Sequence, residues 1–106
     1  MVIGELCAIA HIKNLKNTIL YSMDKKLLKT AFGAALREIR LERGITQTQL
    51  GSSLEMDCAY IAVLEGGKKM PSLEMILRLE RGLGIPSGDL SKRAEQKLKE
   101  IQSHQK

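Results

Sequence analysis

At 106 residues the chain has room for one domain of ordinary size, and with 3 % aromatic against 43 % apolar residues its core must be built from Leu, Ile, Val, Met and Ala. No apolar run of about 18 residues is present and Glu5 interrupts the best apolar stretch of residues 1–22, which argues against a membrane span or signal peptide and for a cytoplasmic protein. The net charge of +5 lies in the flanks, since residues 1–30 and 91–106 carry +3 each and residues 31–90 carry −1; a polyanion partner is allowed but not located.

Residues 1–22 are the least patterned segment. Val2 to Ile12 fits a buried strand or, with Leu15 and Ile19, one side of a helix, and helix is the reading adopted. Met23 followed by Asp24-Lys-Lys suits a translation start. Residues 1–22 are then either an accessory arm, whose Lys13 and Lys16 join Lys25, Lys26 and Lys29 along a polyanion, or an upstream extension.

From Asp24 to Arg43 the apolar residues Leu28, Phe32, Ala35, Leu36 and Ile39 recur with helical spacing, with Asp24 as N-cap and Gly44 as the stop. Thr46 and Gln49 form a capping box, and Ile45 and Leu50 a hydrophobic staple, so a second helix starts at Gln47 and ends near Ser53. Asp57 repeats the arrangement with Met56 and Ile61 and starts a third helix that runs to Glu65, before Gly66-Gly67. Two capped helices so close together make a tight helical corner.

Pro71 and Ser72 open a fourth helix with an apolar stripe of Leu73, Ile76, Leu77 and Leu83, closed by Gly84. Glu80 falls on that stripe and is expected at its rim or paired with an Arg. Pro86 suits the first turn of a fifth helix, along which Leu90, Ala94, Leu98 and Ile101 repeat into the tail. That last stripe has two uses, a dimer seam or docking back on the domain. The predicted organisation is an N-terminal extension (1–22), a five-helix all-α domain (23–90) and a helical C-terminal tail (91–106) that is a candidate dimerisation element.

The run from Leu36 to Leu50 (LREIRLERGITQTQL), followed by Tyr60 to Gly67 (YIAVLEGG) and Pro71-Ser-Leu73, resembles the Cro/CI/Xre family of helix-turn-helix regulators over some 60 residues. The resemblance implies a lambda-repressor-like fold. It also implies that the third helix lies in the major groove of an operator while the second crosses the backbone. Cys58, Ala59, Ala62 and Val63 would then face the bases. Gln47, Tyr60, Gly67, Lys68 and Lys69 would meet phosphates, the Gln47 amide acting at a helix start that favours anions. Arg40 and Glu65 match an internal ion pair, and Leu50, Leu54, Ile61 and Leu64 serve the core.

The base-facing set departs from the family, whose members commonly carry Arg, Gln, Ser, Thr or Asn there. None of the four makes a bidentate contact to a base, although Ala and Val suit a thymine methyl, so modest specificity for a T-rich half-site is expected. Glu55 stands where relatives often have Gly, and a left-handed backbone there costs about 1 kcal/mol or more. Cys58 begins a helix, but no second Cys lies near it and Asp57 adjoins it, so it reads as a plain thiol.

Cys7 and Cys58 lack Cys or His at ligand spacing, His11 and His104 lie near the two ends, and no nucleophile elbow or phosphate-cradling Gly loop is present. The function expected is therefore non-enzymatic, with no cofactor and no metal. It is that of a bacterial or phage regulator, a repressor or autoregulator that binds a palindromic double-stranded operator as a homodimer. The alternative is an antitoxin or interaction module whose partner is a protein, a toxin or an adaptor target.

Overall fold

A computed structural model describes residues 24–103. Cys7, His11, His104, the Val2–Ile12 stripe and the Lys13 and Lys16 arm lie outside the described residues. Five helices make up the fold: α1 (Lys25–Glu42), α2 (Gln47–Ser53), α3 (Cys58–Glu65), α4 (Leu73–Leu83) and α5 (Asp89–Ser103). The described residues form no strand.

The local signals act where the sequence places them. Asp24 accepts from the N–H of Lys26 at 2.8 Å and opens α1, and Gly44, at φ 67°, closes it. The Thr46 hydroxyl accepts from Gln49 N–H at 3.0 Å while Gln49 Oε1 accepts from Thr46 N–H at 2.8 Å, so both halves of the capping box are made. Asp57 caps α3 through Ala59 N–H, and Ser72 caps α4 through Met75 N–H.

Phe32, Ala35, Leu36 and Ile39 of α1 face Leu50, Ile61, Leu64, Leu79, Leu83 and Leu90 in one core, and α5 lies along α1. Leu90, Ala94 and Leu98 are buried, so the stripe on α5 docks back on the domain. The helix also runs through position 90, which joins the tail to the five-helix unit.

Three expectations for this half of the chain are corrected. Pro86 is not in the first turn of α5, because Gly88 takes φ 96° and breaks any helical path before Asp89. On α4 the inward positions are Leu79, Glu80 and Leu83 with Ile76 half-buried, while Leu73 is 71 % and Leu77 38 % exposed.

Glu80 is neither at the rim nor paired with an Arg. It is buried, and its Oε2 accepts from the N–H groups of Gly88 at 2.7 Å and Leu90 at 3.1 Å, which turns the carboxylate into a remote cap for α5. Arginines serve the opposite ends in the same way. Arg43 donates to the carbonyls of Leu83 and Gly84 where α4 ends, and Arg78 donates to the Leu54 carbonyl where α2 ends.

Candidate nucleic-acid interface

The corner between α2 and α3 is tight because Gly51 lacks a side chain. A Cβ there would come within 2.8 Å of the Met56 carbonyl oxygen, and Met56 N–H donates to the Gly51 carbonyl at 2.7 Å. Glu55 takes φ 56° in this turn, the left-handed conformation that its place in the sequence anticipates. Gly33 does similar work on α1: a Cβ there would meet the carbonyl oxygens of Leu64 and Glu65 at 2.5 Å each, so the end of α3 sits directly on the α1 backbone. This contact is missing from the sequence reading, although a Gly inside a helical pattern is the signal for such an approach.

Helix α3 is sorted into two faces. Ile61 and Leu64 are fully buried, whereas Cys58, Ala59, Ala62 and Val63 are all exposed on the opposite side. The four side chains read as base-facing therefore share one outward surface, small and without strong hydrogen-bonding groups. Tyr60 lies half-buried at its edge, with Lys69 Nζ 5.2 Å from the ring centroid, within cation–π range.

Gly67 has a structural role at the end of α3. Its N–H donates to the Leu64 carbonyl and that of Lys68 to the Val63 carbonyl, which closes α3 as a Schellman motif with Gly67 at φ 72°. Its backbone N–H is thus taken. The side chains of Lys68 and Lys69 in this loop are exposed.

Beneath the exposed surface lies a polar knot. Glu65 receives Arg40 in bidentate fashion, Nε to Oε2 at 2.5 Å and Nη2 to Oε1 at 3.0 Å, with both side chains less than 10 % exposed. The carboxylate hydrogen bond holds the Arg40 pKa above its usual value. Arg40 Nη1 also donates to the Ile45 carbonyl at 2.8 Å, just ahead of α2. Gln47, which opens α2, donates one amide N–H to Glu65 Oε1 at 3.0 Å. The pair expected from the sequence is in place. The Gln47 link spans 18 residues and has no local signature in the sequence.

The chain is similar to several known proteins. The helix-turn-helix domain family matches residues 31–94. Control protein C.MunI from a Mycoplasma species is 30 % identical over 64 residues, spanning 59 % of this chain and 86 % of its own. Among solved structures, the clp gene regulator ClgR from Corynebacterium glutamicum is similar at 30 % identity and a TM-score of 0.68, over 77 % of this chain and 86 % of that one. The restriction-modification controller protein C.AhdI from Aeromonas hydrophila is similar at 34 % identity and a TM-score of 0.56, over 58 % of this chain and 94 % of that one.

Proposed function

The chain belongs to the helix-turn-helix domain family, and from that membership and the two-faced build of α3 we infer that it is a DNA-binding transcriptional regulator. The observation that carries the reading is the outward surface of Cys58, Ala59, Ala62 and Val63, held over buried Ile61 and Leu64, with Gln47 bonded to Glu65 at the end of α3 and the exposed Lys68 and Lys69 following that end. Helix α3 enters the major groove, α2 crosses the backbone, and phosphates are met by the two lysines and the Gln47 amide. The protein acts by binding rather than by chemistry.

Sequence choice comes from small apolar contacts. Ala59, Ala62 and Val63 fit thymine methyl groups, and the remainder of the discrimination comes from how readily the duplex adapts to the domain. Affinity rests chiefly on phosphates. Regulators described as controllers or gene regulators share the fold and about a third of the matched residues, which supports the same class of work here.

A homodimer belongs to the reading. The α5 stripe is covered by α1, so the seam has to be elsewhere, and α4 supplies it: Leu73, Leu77 and Met70 are exposed directly after the lysine loop. A second copy on this face covers the largest exposed apolar side chains near the interface and doubles the number of reading helices. Replacing Leu73 with Lys should convert the dimer to monomer in sedimentation experiments with the fold intact.

Salt dependence tests the DNA reading. Affinity for promoter fragments should fall linearly on a log–log plot against salt, and Lys68→Ala with Lys69→Ala should flatten the slope by about 1 per lost phosphate contact. Absence of binding at low salt would reject the proposal.

A further inference from the structure

We infer that Glu65, beyond pairing with Arg40, is the positioning residue for the DNA contact made by Gln47, an inference that rests on the DNA-binding reading above. The argument begins with the amide itself. A glutamine amide at a half-buried position has a donor end and an acceptor end of the same shape, and only the donor end suits a phosphate. Without a fixed neighbour it can turn its oxygen outward and repel the anion.

Glu65 removes that ambiguity. A carboxylate is acceptor-only, so the 3.0 Å contact between Gln47 Nε2 and Glu65 Oε1 is favourable in just one of the two amide orientations. In that orientation one N–H is held by Glu65 and the second N–H of the same nitrogen remains for the ligand. The partner atom is itself immobile, because Oε1 also accepts from Arg40 Nη2 at 3.0 Å while Oε2 accepts from Arg40 Nε.

Arg40 solves a second problem. A bare carboxylate next to a phosphate site would oppose binding, since like charges this close repel. The bidentate guanidinium makes the Arg40–Glu65 unit neutral overall, so Glu65 can orient the amide without charging the surface against DNA. The chain Arg40, Glu65, Gln47 therefore links α1, the end of α3 and the start of α2 in one contact.

A double-substitution cycle on DNA affinity separates this role from a purely structural one. Glu65→Gln leaves a side chain that can either donate or accept, so amide orientation is no longer enforced. It should weaken binding to a promoter fragment roughly 3–10-fold in the otherwise unchanged protein, the size of one hydrogen bond, and have no further effect when Gln47→Ala is already present. Thermal unfolding, in contrast, should still show a loss in both backgrounds, because the Arg40 pair is weakened in each. Equal loss of affinity in both backgrounds would overturn the inference and leave the DNA reading intact.

A second measurement covers the case in which Glu65→Gln fails to fold. In the unsubstituted full chain without DNA, NMR relaxation of the Gln47 side-chain amide should show backbone-like order; a freely rotating amide would overturn the inference. If the unsubstituted chain binds no DNA at low salt, the underlying reading fails and this inference fails with it, whatever the amide shows.

Discussion

Glu55 and Gly33 put opposite demands on the backbone. Glu55, the sole non-glycine residue with positive φ among the described residues, is held at φ 56° by the turn between α2 and α3. Replacing it with Gly removes the clash of its Cβ but adds chain entropy to the unfolded state, so the net gain should be about 0.5–1 kcal/mol, read as a rise of a few degrees in Tm. Gly33 has ordinary helical φ, and Ala would be the better helix former there if the site were open. The site is closed by two carbonyl oxygens, so Gly33→Ala should lower Tm and loosen α3 against α1, visible as faster amide exchange in α3.

The residues that could be read from the sequence are those whose partners are close along the chain. Asp24, Thr46, Asp57 and Ser72 each cap a helix through an N–H two or three positions on, and a spacing of that kind is visible without a structure. Arg43, Arg78 and Glu80 cap helices too, but through partners 8 to 41 residues away. Nothing local marks them, which is why Glu80 reads as a rim residue and proves to be buried.

At the scale of elements, α4 shows where periodicity misleads. Its sequence carries apolar residues on more than one side, so Leu73, Ile76 and Leu77 form as good a stripe as Ile76, Leu79 and Leu83. The buried side is the one that carries Leu79, Glu80 and Leu83, with Glu80 at its edge reaching Gly88 and Leu90; Leu73 stands in line with Glu80 but one end of the helix away, and it and Leu77 are exposed. These exposed leucines supply the proposed seam between copies.

The contact of α5 with α1 carries an ionic strip that makes it sensitive to pH. Arg93 meets Glu38 at 2.6 Å and Glu42 at 2.7 Å, and Lys97 also pairs with Glu38. The Lys97 hydrogen bond first, and Arg93 next, hold the Glu38 carboxyl below its usual range, and Arg93 does the same for Glu42. Carboxyls depressed by folding add stability above their unfolded pKa, about 4.3, and lose it as the pH falls through the folded value. Lys97, raised chiefly by Glu38, loses its contribution at the alkaline end instead. Circular-dichroism melts from pH 6 down to about pH 3 should show Tm falling on the acid side, with a shallower fall in Glu38→Gln. Identical curves would mean that the strip is too well solvated to matter.

Over the whole molecule, a scaffold with strong local signals carries a reading surface with few polar groups. The helical corner and its caps are legible from local spacing, whereas the outward set of Cys58, Ala59, Ala62 and Val63 is legible only through the family resemblance, because α3 is apolar on both faces. The Schellman motif of Gly67 and the hold of Glu65 on Gln47 depend on how the chain packs and are not legible from local spacing. No helix of the described residues is long and apolar enough to cross a membrane.

We propose that two copies of this domain present α3 to adjacent turns of a duplex and read it through small apolar side chains. Selection of bound sequences from a random double-stranded library tests it most directly. The prediction is an inverted repeat with half-site centres about one helical turn, ~34 Å, apart, T-rich where Ala59, Ala62 and Val63 meet the groove, and recovered at low salt. A library that emerges unenriched, or a motif without two-fold symmetry, would contradict it.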